Sequence, residues 1–367
     1  MTSQAVQAGG PVIWLISDGN PGHFNQSLAI AEALQRAGYG SIEWLEARQR
    51  IRGFVRPFVA WLIEHSRSAL PLRAERMLYR FPGAWPAKQP GLIVSSGGKT
   101  AFLNVLLARQ LNCPNVFIGP PPEISTRHFQ VVLHAEQEVH GENCIAMDYL
   151  PTRLDPDKAR LSGQAFTREN GLDGHRLCTM LLGGNSRSHH YTRADWLTLA
   201  QGMNNLAKKY AFRWLVTSSR RTGQEAEDIL RANLAPDTVA DATWWGGQPR
   251  AVVIPYLGAA DVVFCTQDSL SMLSEAIASG RPTFALYPET LRHDALESSF
   301  NERFLATNVQ QNRLAQVSIK TLETCDLTPG GLERRFRPVT NDIMRDTITT
   351  LLAHLQRIEH AKSITRP

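Results

Sequence analysis

Four short segments of the chain collect glycine, serine, histidine, arginine and carboxylate residues in patterns that can do chemistry. In Asp18-Gly19-Asn20-Pro21-Gly22-His23 an imidazole follows the apolar run Val12–Ser17, and Gly22 lets the backbone turn tightly before a helix. Imidazole changes charge near neutral pH, so His23 could take a proton from a hydroxyl. A histidine that only caps the helix fits the same residues. The second segment, Ser95-Ser96-Gly97-Gly98-Lys99-Thr100, looks like a phosphate loop but lacks the G-x-x-x-x-G-K spacing, which argues against nucleoside-triphosphate hydrolysis. A close-packed strand-to-helix turn is expected there, with Gly97 and Gly98 forming at most a lip beside a substrate.

The third place is a pair of turns, Gly183-Gly184-Asn185-Ser186-Arg187 and Thr217-Ser218-Ser219-Arg220-Arg221. Glycine amides, the Ser186 and Ser218 hydroxyls and the guanidiniums of Arg220 and Arg221 are what a leaving diphosphate needs. The alternative is an arginine pair that is merely solvated. The fourth, Thr266-Gln267-Asp268-Ser269-Leu270-Ser271-Met272-Leu273-Ser274-Glu275-Ala276, opens a helix with small polar residues. Free amides at a helix start, with the hydroxyls of Ser269, Ser271 and Ser274, suit an anion. Glu275, further along the same helix, suits the hydroxyls of a ribose. Alternatively Asp268 and Ser269 only cap the helix and Glu275 is a surface acid.

Metal chemistry has little support, because His189 and His190 are adjacent and no acid or cysteine stands at ligand spacing. His134, His140 and His293 are isolated. No cofactor is called for; a nucleotide would be a substrate.

These segments all sit where strands end. Expected strands at Val12–Ser17, Ser41–Leu45, Gly91–Ser95, Asn115–Ile118 and Val131–His134 alternate with helices at Gln26–Ala37 and Thr100–Leu111. A proline- and glycine-bearing stretch, 151–174, reads as a connection. The alternation then restarts with strands at Leu177–Leu182, Arg213–Thr217, Asp261–Cys265 and Pro282–Leu286. Helices are expected at Thr192–Tyr210, with Thr192 as N-cap, at Gly223–Leu234 and at Ser269–Ser279. Strand, turn, helix, strand is the mark of a parallel sheet with crossover helices. The expected architecture is therefore α/β, with two Rossmann-like domains facing a cleft. They would cover 1–160 and 175–340, and a closing helix would occupy 341–367.

With 367 residues, 43% hydrophobic and 20% charged, the composition is that of a globular protein of two domains. No apolar run approaches the length of a membrane span, and Met1–Gly10 lacks the pattern of a secretory signal. Five scattered cysteines without C-x-x-C spacing fit reduced thiols, hence a cytoplasmic setting. The formal charge is only +5, but Arg48–Arg80 holds eight arginines (48, 50, 52, 56, 67, 73, 76 and 80) against Glu64 and Glu75. Phe54, Val55, Phe58, Val59, Trp61 and Leu62 fall at helical spacing within it. Such a segment can lie on an anionic membrane surface; a helix with its apolar face in the core fits equally. No nucleic-acid recognition module accompanies the basic window.

The fourth segment, S-x-x-S-E-A-x-x-x-G-x-P in outline, resembles the donor half of GT-B glycosyltransferases such as the lipid-linked peptidoglycan N-acetylglucosaminyltransferase. Pro21-Gly22-His23 resembles the first N-domain loop of those enzymes. S-D-G-N-P-G-H-F-N-Q, L-L-G-G-N-S-R, V-T-S-S-R-R-T and Q-D-S-L-S-M-L-S-E-A, in that order, resemble the bacterial branch of the mitochondrial-fission (elongated-mitochondria) family. The chain departs from that family around Trp244–Tyr256, where Gly246-Gly247-Gln248-Pro249 replaces a compact Asn-Pro-Tyr turn, so contacts near that turn do not carry over.

The resemblance implies a metal-independent transferase that moves a sugar from a nucleoside-diphosphate donor to an acceptor hydroxyl, and the arginine-rich window suggests an envelope or glycolipid acceptor at the inner membrane surface. His23 would be its base. Gly183, Gly184, Asn185, Ser186, Ser218, Arg220, Arg221, Asp268, Ser269, Ser271 and Ser274 would hold the donor, with Glu275 on the ribose. Asp18, Asn20, Gly97 and Gly98 would lie on the acceptor side. A non-catalytic binding or scaffold protein of the same shape, or a nucleotide-sugar epimerase, are the alternatives.

Overall fold

The computed structural model describes residues 11–51, 53–66, 74–135, 141–290, 297–337, 339 and 342–364. Met1–Gly10, Arg52, Arg67, Arg73, His140 and His293 lie outside the described residues. Two compact units share the chain: Met1–Arg153 with Asp342–Pro367, and Leu154–Asn341.

The first unit holds β1 (Val12–Ser17), α1 (Pro21–Arg36), β2 (Ile42–Glu46), β3 (Arg48–Gln49), α2 (Arg56–His65), α3 (Ala74–Leu78), β4 (Tyr79–Arg80), β5 (Pro90–Ser96), α4 (Ala101–Leu111), β6 (Asn115–Ile118), β7 (Val131–His134) and β8 (Cys144–Ala146). Its six-stranded sheet is parallel, in the order β2-β1-β5-β6-β7-β8; β3 and β4 form a separate antiparallel ribbon. Strand β1 is buried on both faces, as parallel strands are. Ile13 and Leu15 join Ile30 and Leu34 of α1, while Trp14 and Ile16 join Val59 and Ile63 of α2 and Phe102 of α4.

The second unit holds α5 (Pro156–Glu169), β9 (Leu177–Leu181), α6 (Arg193–Tyr210), β10 (Arg213–Thr217), α7 (Gln224–Asn233), β11 (Val239–Thr243), α8 (Val253–Ala259), β12 (Val262–Thr266), α9 (Leu270–Ala278), β13 (Thr283–Tyr287), α10 (Glu297–Gln310), β14 (Leu314–Ser318) and α11 (Pro329–Arg335). Its sheet is again six-stranded and parallel, in the order β11-β10-β9-β12-β13-β14. Helix α6 starts at Thr192 through a capping box with Asp195. The last helix, α12 (Asp342–Ile364), returns to the first unit, where Ile348, Leu351 and Leu355 share a core with Ile30 and Leu34.

The stretch 151–174 is not a plain connection. Asp155 accepts the amides of Asp157 and Lys158 as N-cap, and Pro156 opens α5 as its first residue. Gly163 does not break that helix. A Cβ there would stand 2.2 Å from the carbonyl carbon of Gly258, so the glycine lets α5 lie backbone-to-backbone on α8. Helix α1 likewise begins at Pro21, five residues before the expected start, because Asn20 caps it.

In both sheets the order reverses beside the first strand: between β1 and β5 in one unit, between β9 and β12 in the other. Crossover helices there leave to opposite faces, so the loops beyond the strand ends part and make a crevice. The segments singled out by residue type follow these four strands and β10.

Candidate functional site

In the first unit Gly19, at φ 81°, makes the turn after β1, a conformation that favours glycine. The tight turn is therefore not at Gly22, which already lies in α1. Asn20 caps the helix by accepting the Gly22 amide at 3.0 Å, so His23 is not the cap. His23 instead directs Nδ1 at Asp18 Oδ2, 2.9 Å away, with Asp18 4% exposed and His23 35% exposed at the side chain. Burial works against the Asp18 charge. The His23 hydrogen bond and charge, the Asn20 amide and the Lys99 ammonium outweigh it and hold the carboxyl below its usual range. With Nδ1–H donating to an ionised Asp18, the lone pair of a neutral His23 sits on Nε2.

The turn after β5 completes this arrangement. Gly97 has φ 86°, and a Cβ on it would fall 2.2 Å from His23 Nδ1. Its backbone thus lies against the imidazole. Gly98 is pressed on Pro122, and its carbonyl accepts Arg56 Nη2 at 3.3 Å. Ser96 donates to Gln26 at 2.7 Å and the Thr100 hydroxyl to the Ser96 carbonyl at 3.0 Å, so the segment is a close-packed turn with Lys99 exposed. Gly97→Ala is expected to push the imidazole off Asp18 and to cost about 1–3 kcal/mol of stability. Urea unfolding and the low-field imidazole N–H proton resonance would report both effects.

In the second unit Asp268, just past β12, is a buried hub. Its carboxylate accepts the Gly184 amide at 3.0 Å and the Tyr191 hydroxyl at 3.1 Å, and pairs with Arg221 Nη2 at 2.8 Å. Burial nevertheless raises its pKa against the pull of Arg221. The Gly183 amide donates to Thr266 Oγ1 at 2.6 Å. A Cβ on Gly183 would meet the Asp268 carboxylate at 2.3 Å, and one on Gly184 the Arg221 carbonyl at 2.0 Å.

Several residues expected on a diphosphate are therefore engaged within the protein. The Gly183 and Gly184 amides, Asp268 and Arg221 bolt the β9 turn to the β12 turn. Ser218 donates to the buried Glu227 at 2.6 Å and accepts the Trp245 amide at 2.7 Å. Asn185 accepts the Tyr191 amide at 2.7 Å and Ser186 the His189 amide at 3.1 Å. Ser274 is buried in α9. His189 is not a surface residue: it is buried beside Ser188, and burial with the nearby Arg221 charge pulls its pKa down to about 4. Thr266, which heads the fourth segment, carries this framework with Tyr191 and Glu227, and nothing in the local sequence announces the last two.

What stays open is the first turn of α9 and its surroundings. Ser269 is the N-cap but makes no side-chain cap bond, so neither it nor Asp268 closes the helix start. Among the described residues no hydrogen bond engages the amides of Leu270, Ser271 and Met272. Ser269 and Ser271 are half-buried, and Arg220 is exposed without an ion pair among the described residues. Ser271 and Glu275, four apart, share one helix face. Glu275 is half-buried, its carboxyl has no hydrogen bond or ion pair among the described residues, and burial alone pushes its pKa up to about 7.

That shift makes stability depend on pH. From about pH 4.5 to about 7 the unfolded chain gives up this proton while the folded one keeps it, so stability falls as pH rises and then levels off. Glu275→Gln is expected to raise stability by roughly 1–3 kcal/mol at pH 8 and by little at pH 4. Urea midpoints at the two pH values check this; equal shifts at both would contradict it.

Residues 21–329 match the family described as Mitochondrial fission ELM1. The chain is 22% identical over 351 residues to the uncharacterized protein RP120 of Rickettsia prowazekii (strain Madrid E), covering 86% of this chain and 94% of that one. The UDP-GlcNAc 2-epimerase of Neisseria meningitidis, solved bound to UDP-GlcNAc, superposes with a TM-score of 0.53 at 11% identity, over 93% of this chain and 99% of that one. The calicheamicin glycosyltransferase CalG4 gives 0.52 at 10% identity, over 98% and 100%. Two α/β units, each on a six-stranded parallel sheet, thus form the fold of GT-B glycosyltransferases. With the match running through most of its length, the chain belongs to the mitochondrial fission ELM1 family.

Proposed function

We propose that the protein is a metal-independent glycosyltransferase. The second unit holds a nucleoside-diphosphate sugar and the first presents an acceptor hydroxyl to His23. The hydroxyl oxygen bonds to the anomeric carbon as its proton passes to His23 Nε2. The bond from that carbon to the diphosphate oxygen breaks, and its electron pair leaves on the diphosphate. The α9 amides, the Ser269 and Ser271 hydroxyls and the Arg220 guanidinium take up that charge in place of a metal ion. Glu275 accepts from the ribose. An envelope glycolipid at the cytoplasmic face of the inner membrane is the proposed acceptor class.

The observation that carries this proposal is the Asp18–His23 pair at 2.9 Å, which reserves Nε2 as a base at the crevice of the first sheet. A histidine that only capped the helix is excluded, because Asn20 is the cap. The test is a panel of sugar nucleotides incubated with the protein, with and without lipid extract. Release of free nucleoside diphosphate that depends on the extract supports transfer; a donor altered without any acceptor would make the protein an epimerase.

A second reading, a binding protein of this shape without catalysis, is favoured by one observation: Gly183, Gly184, Ser218 and Arg221 spend their donors inside the protein. Nucleotide binding without turnover of any donor would support it.

A further inference from the structure

Helix α2 and the single turn before it carry an exposed aromatic stripe. Phe54, Phe58 and Trp61 are 78%, 59% and 54% exposed. At about 100° per residue they fall within an arc of roughly 60°, and the buried Val59, Ala60 and Ile63 lie on the opposite side. Phe58 and Trp61 stack at 6.3 Å, and Trp61 stacks on His65 at 4.9 Å, so the stripe is pre-ordered in the open. The helix is firmly held from behind. Arg109 bonds the Ile63 and Ser66 carbonyls, and Glu64 binds the Ser125 amide, Arg127 and His128.

The exposed charges of the adjoining β3–β4 ribbon and α3 are of one sign. Arg50 and Arg80 are exposed with no acidic partner among the described residues, and Arg76 lies over the Trp85 ring. Arg48 faces Arg80 across the β3–β4 ribbon, which leads into the turn bearing Phe54. The nearby acids are already used: Glu64 as above, Glu123 by Arg56, Glu46 by Arg48, and Glu75, buried, by Gln110. Arg56 itself is not part of the open face, since it is tied to Glu123, Gln49 and Gly98. No helix among the described residues is long and apolar enough to cross a membrane.

We infer that this face seats the protein on an anionic lipid bilayer. Phe54, Phe58 and Trp61 enter the interface, where aromatic rings sit well, while Arg50, Arg76 and Arg80 meet the anionic headgroups. Helix α2, with 10 residues, lies in the plane and does not span it. A protein partner would as readily bring apolar surface, but it gives no reason for an uncompensated arginine rim. The inference stands apart from the transfer reaction, since a non-catalytic protein could dock in the same way.

Flotation of the full chain with phosphatidylcholine vesicles, with and without anionic phosphatidylglycerol, tests it. Binding is expected with the anionic vesicles only. It should weaken on the order of 100-fold when Phe54, Phe58 and Trp61 are all replaced by serine, and about fivefold for each of Arg50→Ala and Arg80→Ala. These side chains are exposed, so the variants should keep the wild-type circular dichroism. Should the triple variant unfold, Trp61→Phe decides instead: it must lose most of the fluorescence quenching that brominated anionic lipid produces in the wild type. No flotation with anionic vesicles, equal flotation with neutral ones, or quenching unchanged in Trp61→Phe would each overturn the membrane assignment; capture of a protein in place of lipid would give the face to that partner.

Discussion

Replacement of His23 by alanine is expected to slow sugar transfer by about 10³-fold while leaving nucleotide affinity within about twofold of wild type. The imidazole follows β1 with Nδ1 on the buried Asp18 carboxylate at 2.9 Å, which turns Nε2 to the acceptor in the proposed reaction. In the proposed chemistry it has no part in holding the donor, so only the chemical step should suffer. Asp18→Asn is expected to cost less, on the order of 10–100-fold. It keeps a hydrogen-bond partner for Nδ1 but removes the charge that stabilises the imidazolium formed during transfer. Single-turnover rates beside calorimetric nucleotide titrations would separate the two effects. Transfer by His23→Ala at the wild-type rate would remove His23 from the mechanism.

The second large effect concerns stability. Asp268→Ala should destabilise the second unit by about 3–5 kcal/mol, because it strands three groups at once: the Arg221 guanidinium, the Gly184 amide and the Tyr191 hydroxyl. Arg221→Ala should cost less, about 1–3 kcal/mol, since Asp268 left without its guanidinium keeps the Gly184 and Tyr191 donors and can take up a proton. The double variant is expected to be clearly more stable than the sum of the two single losses, as for any pair in contact. Urea unfolding of the four proteins measures this. Additive losses would show that the ion pair does not hold the two turns together.

The architecture was largely legible in the sequence because parallel strands buried on both faces read as plain apolar runs. Val12–Ser17, Asn115–Ile118, Val131–His134 and Arg213–Thr217 have the ends their residues predict. Strands without such runs escaped: Val239–Thr243 at an edge of its sheet alternates with polar residues, and Cys144–Ala146 is only three residues long. Helix α5 escaped because a proline and a glycine mark loops in general, whereas here one opens the helix and the other admits a neighbouring backbone.

For the site, residue types after strand ends located the turns, but not which donors were left over. The bonds that consume the Gly183 and Gly184 amides reach residues 83 and 84 positions away. Only tertiary structure separates Arg221, locked to Asp268, from Arg220, which is exposed. The Asp18–His23 pair was within reach, since both residues stood in one singled-out segment. Their pairing depends on the turn at Gly19 and on the Gly97 backbone behind the ring.

The claim that α9 offers its open amides to a diphosphate can be measured directly by calorimetry with nucleoside diphosphates on wild type and Leu270→Pro. Proline is tolerated at a first helical position, and Ser269 before it lies in the β region rather than the helical one (φ −115°, ψ 92°), so the change chiefly removes one amide donor. At least one nucleoside diphosphate should bind the wild type at a single site and bind the variant about 10- to 100-fold more weakly. If no nucleoside diphosphate binds, or if one binds both proteins equally, the helix start is not the diphosphate site.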